Sequence, residues 1–180
     1  NFAARYVTMF GLAVFAFGAA LLSGTDVNTA FWILAFFVVI GRLGQSIMLP
    51  AINVSALKAL PPEQLNNGSG SINFVRLMGG AFGVNTLVVF MEQRTEFHAI
   101  SLTATQTAGN ASSRELLDMV SSLLHGGGVP DAVLQPGALH YLGRVVEAQA
   151  QTMGFQDGFM VIAVVFILAL IPAMMLGREK

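Results

Sequence analysis

The chain has 180 residues, of which 54% are hydrophobic and only 11% are charged, and its formal net charge is -1. A soluble domain carries about 25% charged residues, so this composition predicts an integral membrane protein. The net charge argues against nucleic-acid binding, which needs a basic face. The sequence contains no cysteine, which excludes a disulfide framework, a thiolate metal site and a cysteine nucleophile.

Four apolar segments are long enough to cross a bilayer, which takes roughly 20 apolar residues. We predict an all-α integral membrane fold with three spans within residues 1–91. A helical loop outside the cytoplasm follows at 92–156, and 157–180 contains the last span and a short cytoplasmic tail. The first three spans are expected at about residues 4–22, 31–57 and 71–91.

The first apolar run carries two glycines at helical spacing. Gly11 and Gly18 are two turns apart, so they share a face where a neighbouring helix could approach closely. We interpret this span as a packing helix. The run lacks the charged start and the small-residue cleavage site of a signal peptide, so we expect further chain upstream of Asn1.

The second span carries an unusual polar stripe. Arg42, Gln45, Ser46 and Asn53 fall on one helical face, and Pro50 is expected to kink the helix. Arginine inside a span costs at least about 2.5 kcal/mol, so Arg42 must face protein, water or a partner. The stripe is either a cavity wall, with a substrate-binding or coupling role, or a polar seam buried against another helix.

The third span carries a second stripe and a glycine motif. Asn73, Arg76, Gly80 and Gly83 share a face, and Gly79 and Gly83 form the G-x-x-x-G spacing that lets two backbones touch. We predict that these five residues form a helix interface. Arg76 lies near the end of the apolar segment, so it could equally snorkel to the membrane surface.

The polar turn between the second and third spans contains helix stop and start signals. Pro61 and Pro62 are expected to end the second helix. Asn66, Asn67 and Ser69 can then cap the third helix, because their side chains accept hydrogen bonds from the first backbone N–H groups.

The external loop contains two amphipathic patterns and is predicted to be a pair of helices. Ser112 and Glu115 have the spacing of a capping box, and glycines at 126–128 are expected to end the helix that follows. A second helix is predicted to start after Pro136 and to run to about Met153.

The sequence offers no catalytic or metal-binding pattern. His98, His125 and His140 are scattered through the loop without ligand spacing, and no Ser/His/Asp arrangement is evident. We therefore expect no metal, no cofactor and no enzymatic activity.

Basic residues in the short segments predict the orientation. Arg5, Lys58, Arg178 and Lys180 fall on one side of a four-span chain, whereas the turn at 23–29 has no Lys or Arg. The positive-inside rule then places both ends in the cytoplasm.

The stretch LPPEQLNNGSGSINFVRLMGGAFGV, from Leu60 to Val84, resembles the penultimate-span region of fourteen-span drug:proton antiporters of the EmrB/QacA type in the major facilitator superfamily. The similarity extends over the whole chain as the last four spans of that family. The stretch around Arg42 reads GRLGQS and is less glycine-rich than the family pattern, so cavity shape and substrate could differ.

The resemblance implies proton-driven export of hydrophobic or amphipathic compounds across a bacterial inner membrane. Implied partners are membrane lipid, the N-terminal spans of the same protein, drugs and protons, and in some members a periplasmic adaptor with an outer-membrane channel. The family order of helices would place 31–57 on the central cavity, 71–91 at the interface between halves and the other two spans at the periphery. The spans here contain no carboxylate that could carry the proton, so the coupling acid is expected elsewhere.

A second interpretation remains open. The chain could be a non-transporting membrane scaffold of four helices that binds a partner through its external loop.

Overall fold

Helices dominate the residues that the computed structural model describes, which are 4–106 and 109–175. Four helical stretches are long and apolar enough to cross a membrane, which confirms the predicted all-α membrane fold. The tail predicted at Gly177–Lys180 lies outside the described residues. The helices are α1 (Ala4–Ser23), α2 (Phe31–Lys58), a 3₁₀ turn (Pro62–Gln64), α3 (Leu65–Thr105), α4 (Ala111–Gly126), α5 (Asp131–Leu168) and α6 (Leu170–Met175).

The chain divides into two compact units. Unit 1 contains the residues up to Met91 and those from Gln156 onward, and unit 2 contains Glu92–Phe155. Unit 1 therefore holds α1, α2, α6 and one part each of α3 and α5. Unit 2 holds α4 and the remaining parts of α3 and α5.

Direct backbone contact holds α1 against α2 in unit 1. A Cβ built on Gly11 would lie 2.9 Å from the Gly44 carbonyl oxygen, and one built on Gly18 would lie 2.7 Å from the Gly41 nitrogen. A Cβ on Gly44 would lie 2.5 Å from the Phe15 nitrogen. The contacts pair rising residue numbers on α1 with falling numbers on α2, so the two helices are antiparallel. The close approach predicted at Gly11 and Gly18 is confirmed.

The last part of the chain packs against both helices of this hairpin. Leu12, Met48 and Ala173 form a buried cluster that joins α1, α2 and α6. The rings of Phe15 and Phe166 lie with their centroids 4.3 Å apart, in a tilted arrangement that is favourable for aromatic pairs. The core of unit 1 is therefore built around α1.

The turn between α1 and α2 is held by side-chain hydrogen bonds. Asp26 Oδ1 accepts from the Asn28 backbone nitrogen at 2.9 Å and from Thr29 Oγ1 at 2.9 Å. Gln156 Nε2, at the start of the unit 1 part of α5, donates to the Thr25 carbonyl oxygen at 2.6 Å. The turn is thereby tied to a residue 131 positions further along the chain.

Helix α3 differs from the hairpin because none of its residues is buried. One tight contact lies in its unit 1 part, where a Cβ built on Gly158 would lie 2.7 Å from Cγ of Met91. Large apolar side chains such as Phe74 and Phe82 stay exposed along the helix.

The start of α3 corrects the predicted caps. The helix begins at Leu65, directly after the 3₁₀ turn, so Asn66, Asn67 and Ser69 lie inside its first turns. The 3₁₀ turn supplies the transition into the helix, which leaves the three polar side chains without the capping position.

The end of α3 is also later than predicted. The third span is expected to end at about Met91, whereas the helix continues to Thr105. Residues 92–105 contain neither glycine nor proline, so nothing in the backbone stops the helix even though the composition turns polar.

The start of α4 in unit 2 corrects the predicted capping box. Asn110 is the N-cap, and its Oδ1 accepts from the backbone nitrogens of Ser112 and Ser113 at 3.0 and 3.3 Å. Ser112 is therefore inside the helix rather than at its cap. The predicted stop is confirmed, because α4 ends at Gly126.

Helix α5 is longer than predicted at both ends. It begins at Asp131, with Pro136 in its interior, and it runs without interruption past Met153 to Leu168. Pro136 is the sixth residue of α5, so it removes one intrahelical hydrogen bond, but the helix continues through it. Glycines at 154 and 158 weaken a helix by about 1 kcal/mol each but do not end it.

Prolines affect the other spans differently. Pro172 lacks an N–H, and its ring clashes with the carbonyl four residues earlier, which is that of Leu168. That residue is the last of α5, and α6 resumes at Leu170. Pro50 lies inside α2, which continues through it as one helix.

Candidate functional site

Three of the four polar stripe residues on α2 are linked by hydrogen bonds. Arg42 Nη1 donates to Gln45 Oε1 at 2.9 Å, and Ser46 Oγ donates to the Arg42 carbonyl oxygen at 2.9 Å. The Arg42 side chain nevertheless remains exposed. A neutral amide acceptor orients the guanidinium but does not cancel its charge.

Arg42 and Gln45 line a cavity of about 350 Å³ in unit 1, which we call the Arg42 cavity. Most of its wall is apolar, with two aromatic rings and several aliphatic side chains, and none of its lining residues is acidic in the part of the chain the structure describes. The remaining lining residues are Phe15, Gly18, Ala19 and Leu22 of α1, Val38 and Gly41 of α2, and Phe159 and Ile162 of α5.

This composition determines what the Arg42 cavity can bind. Ligand pockets combine a mostly apolar wall with a few placed polar groups, and volumes of roughly 300 Å³ upward are typical. The guanidinium offers a fixed positive charge with a planar set of donors, which suits a carboxylate or another oxyanion. The cavity therefore suits an amphipathic organic molecule, or the approach of a carboxylate from another span.

Asn53 contributes to a different cavity, which we call the Arg76 cavity. It has a volume of about 350 Å³ and lies between the second half of α2 and the first turns of α3. Arg76 Nη2 donates to Asn73 Oδ1 at 2.6 Å, so the two polar residues predicted on α3 are directly bonded. The lining residues are Asn53, Leu57, Ser69, Gly70, Ile72, Asn73 and Arg76.

The structure therefore divides the residues predicted as one α2 site. Arg42 and Asn53 are 11 positions apart, which is about 16 Å along a helix, and they line separate cavities. Ser46 lines neither of the two. Asn73 and Arg76 line the same cavity as Asn53 of α2, and their predicted place at a helix interface stays a prediction.

The glycines predicted at a helix interface on α3 have no close neighbour within the described chain. A Cβ built on Gly79, Gly80 or Gly83 would meet nothing within 4 Å among the described residues. Their role in an interface stays a prediction, because any helix that packs there comes from outside residues 4–106 and 109–175.

Sequence reasoning missed the apolar part of the Arg42 cavity. Phe15, Phe159 and Ile162 belong to spans that the family order of helices assigns to the periphery. Their aromatic and aliphatic character is ordinary for a membrane helix, so composition carries no signal for them. The pair of glycines at 41 and 44, one helical turn apart beside Arg42, is a signal that α1 approaches this face closely.

The histidines do not converge on a metal site. Among the described residues, no group of three or more His, Cys, Asp or Glu side chains could hold a metal ion. His125 Nδ1 lies 3.2 Å from Asp131 Oδ1 in unit 2, and both side chains are largely exposed. This contact joins the end of α4 to the start of α5.

Two comparisons give no match: no family model matches the chain, and no solved structure does. Among curated proteins, the chain is similar to the colistin resistance protein EmrB of Acinetobacter baumannii, with 23% identity over 180 residues. It is also similar to the multidrug transporter protein MdtP of Bacillus subtilis, with 29% identity over 85 residues.

The coverage of the two matches is unequal. The EmrB match covers 100% of this chain but 35% of the relative, and the MdtP match covers 47% of this chain and 16% of the relative. The chain thus spans about a third of the length of the EmrB relative. Both matches confirm the resemblance to EmrB/QacA-type efflux permeases that the stretch from Leu60 to Val84 indicates.

Proposed function

We propose that this chain, a multi-pass membrane segment that matches EmrB/QacA-type permeases, is the C-terminal portion of a proton-driven multidrug efflux transporter. Its substrates are hydrophobic or amphipathic compounds. Similarity to proteins named for colistin resistance and multidrug transport supports this proposal over the scaffold interpretation. The chain acts in this proposal together with the spans that complete the transporter.

The observation that carries the proposal is the composition of the Arg42 cavity. A mostly apolar wall with the rings of Phe15 and Phe159 accepts compounds of varied shape, because apolar contacts are non-directional. A single cation held by Gln45 provides a polar anchor. Polyspecific recognition needs both features.

Arg42 has one of two roles within this proposal. It contacts an acidic or polar group of the substrate, or it pairs with a carboxylate on another span and stabilises the charged form of that acid. In either role its charge is required, because a cation within an apolar span costs free energy and would only destabilise the span if it had no function.

Replacing Arg42 with glutamine tests the proposal in the full-length protein. A charge-assisted hydrogen bond contributes about 1.5–3 kcal/mol, so Arg42→Gln should lower efflux of an amphipathic dye by at least about tenfold at equal expression. Arg42→Lys should restore only part of the efflux, because lysine lacks the planar fork of donors. Dye extrusion from energised cells is the measurement.

Arg144→Gln is the matched control, since Arg144 is an exposed arginine on α5 within unit 2. Its efflux should equal that of the wild type. Wild-type efflux from Arg42→Gln would contradict the assigned role of Arg42, and an equal loss from both variants would show that the effect is not specific to the cavity.

Location and partners follow from the same proposal. The chain lies in a bacterial inner membrane with both ends in the cytoplasm, and unit 2 faces a periplasmic adaptor that leads to an outer-membrane channel. The exposed apolar side chains of Met119 and Leu123 on α4, 56% and 70% accessible, support a partner contact. Copurification of an adaptor with the wild type but not with Leu123→Glu tests it, and equal recovery would contradict it.

A further inference from the structure

The Arg76 cavity has the character of an anion site. Four of its lining residues offer hydrogen-bond donors, and they come from both α2 and α3. Arg76 carries the one positive charge among them, and none of the lining residues is acidic in the described part of the chain. The four are Asn53, Ser69, Asn73 and Arg76.

The Arg76 guanidinium is positioned but not neutralised. It donates to Asn73 Oδ1 at 2.6 Å, which fixes the side chain against its own helix. A guanidinium has five N–H donors in a planar fork, so this single bond leaves donors for a ligand. A planar cation with free donors binds phosphate and carboxylate groups well.

The cavity lies where a polar turn meets an apolar helix. Ser69 is in the first turns of α3, and Arg76 follows about 10 Å further along the helix. Leu57 and Ile72 provide apolar surface in the same cavity. This arrangement of a cation beside apolar surface at the end of a span matches the depth of phospholipid headgroups.

Exposed apolar surface continues from the cavity along α3. Phe74 and Val75 are 63% and 67% accessible and line a neighbouring groove together with Gly70, which also lines the Arg76 cavity. A ligand with its anion at Arg76 can therefore place hydrocarbon against α3. A free inorganic anion would use only the polar half of this surface.

We propose that the Arg76 cavity binds the phosphodiester headgroup of an anionic phospholipid. Arg76 holds the phosphate oxygens, Asn53 and Ser69 donate to the phosphate or to the polar head, and the acyl chains lie against Phe74 and Val75. This inference rests on the Arg76 cavity alone and does not depend on the proposed efflux function.

Native mass spectrometry of the full-length protein tests the inference. The protein is purified in detergent and equilibrated with equal amounts of phosphatidylglycerol and phosphatidylcholine. We expect the wild type to retain phosphatidylglycerol preferentially. Loss of a charge-assisted contact should lower that preference by about tenfold in Arg76→Gln. Equal retention of both lipids by the wild type overturns the inference.

Arg42→Gln is the matched control, because it removes another exposed arginine from an apolar helix at a different cavity. It should keep the wild-type lipid preference. If Arg42→Gln loses as much preference as Arg76→Gln, the effect is one of overall charge and the assignment to this cavity is overturned.

Two further arms keep the result decisive. A large excess of inorganic phosphate should leave the bound phosphatidylglycerol in place. If phosphate displaces the lipid, the cavity binds free phosphate and the inference of a lipid site is overturned. Where Arg76→Gln does not fold, Asn53→Leu retains the charge but removes one neutral donor. It should lower the preference severalfold, and an unchanged preference overturns the inference.

Discussion

The α1–α2 hairpin and helix α3 both carry glycines at helical spacing, but they use them differently. In the hairpin, a Cβ at Gly18 or Gly44 would lie within 2.7 Å of the partner backbone. On α3, a Cβ at Gly79, Gly80 or Gly83 would meet nothing within 4 Å among the described residues. The same sequence signal thus accompanies a formed contact in one region and an exposed face in the other.

The difference shows what glycine spacing can establish. It permits two backbones to approach, because no side chain stands between them. It does not identify the partner helix, which must carry its own small residues at the level of the membrane where the two backbones meet. Gly44 on α2 meets that condition for α1, because a Cβ there would lie 2.5 Å from the Phe15 nitrogen.

The largest effect is expected from adding a methyl group inside the hairpin. Gly44→Ala places a Cβ 2.5 Å from the Phe15 nitrogen, so the helices must separate. Overpacking typically costs about 1–3 kcal/mol, and we expect the upper part of that range because backbone cannot move aside easily. The measurement is the thermal unfolding midpoint of the purified full-length protein.

Gly41→Ala is the control from the same helix. A Cβ there meets nothing within 4 Å, and alanine favours a helix over glycine by about 1 kcal/mol. The midpoint should therefore stay unchanged or rise. Equal destabilisation by the two variants would contradict the contact between α1 and α2.

A smaller effect is expected on α3. If the stripe with Gly79 and Gly83 is a helix interface in the complete transporter, Gly83→Ala should destabilise the full-length protein by about 1–2 kcal/mol through overpacking. Val88→Ala is a comparison at an exposed apolar position of the same helix. If Gly83→Ala is as stable as the wild type, this face of α3 contacts lipid rather than another helix. The glycines of α3 would then lack a close helix partner in the complete protein, unlike those of the hairpin.

The smallest effect is expected where one hydrogen bond ties α5 to the hairpin turn. Gln156→Ala removes the donor to the Thr25 carbonyl oxygen, and a single hydrogen bond contributes about 0.5–1.5 kcal/mol. Hydrogen exchange at residues 23–30 should accelerate severalfold. The neighbouring exposed variant Gln151→Ala should leave that exchange unchanged, and acceleration in both would contradict the role of this bond.

The helices α1 and α2 could be predicted from the sequence, but the ends of α3 and α5 could not. Long apolar runs determine that a helix crosses the membrane, so α1 and α2 have nearly the predicted bounds. The ends of α3 and α5 depend on whether glycine or proline interrupts the helix. The polar residues at 92–105 do not end α3, because polar side chains alone do not break the backbone hydrogen bonds. The sequence predicts a helix that starts after Pro136, whereas α5 begins at Asp131 and continues through this proline.

The candidate site was predictable one helix at a time. Periodicity identified the polar residues of α2 and α3, and the two predicted arginines each line a cavity. Which residues share a cavity depends on the packing between helices, so the pairing of Asn53 with Arg76 was not predictable. The apolar wall from Phe15 and Phe159 gave no signal because such residues are common in any span.

The sequence separations within unit 1 have a consequence for its assembly during synthesis. The contacts between α1 and α2 join residues close in sequence, so this hairpin can form soon after both helices have been made. The hydrogen bond from Gln156 to Thr25 joins residues 131 positions apart, and synthesis of that stretch takes roughly 7–26 s at ribosomal rates of about 5–20 residues per second. During that interval the face of α1 that later receives Phe166 is open to other apolar helices or to a chaperone. The hairpin is thus an early template, and the last span completes it.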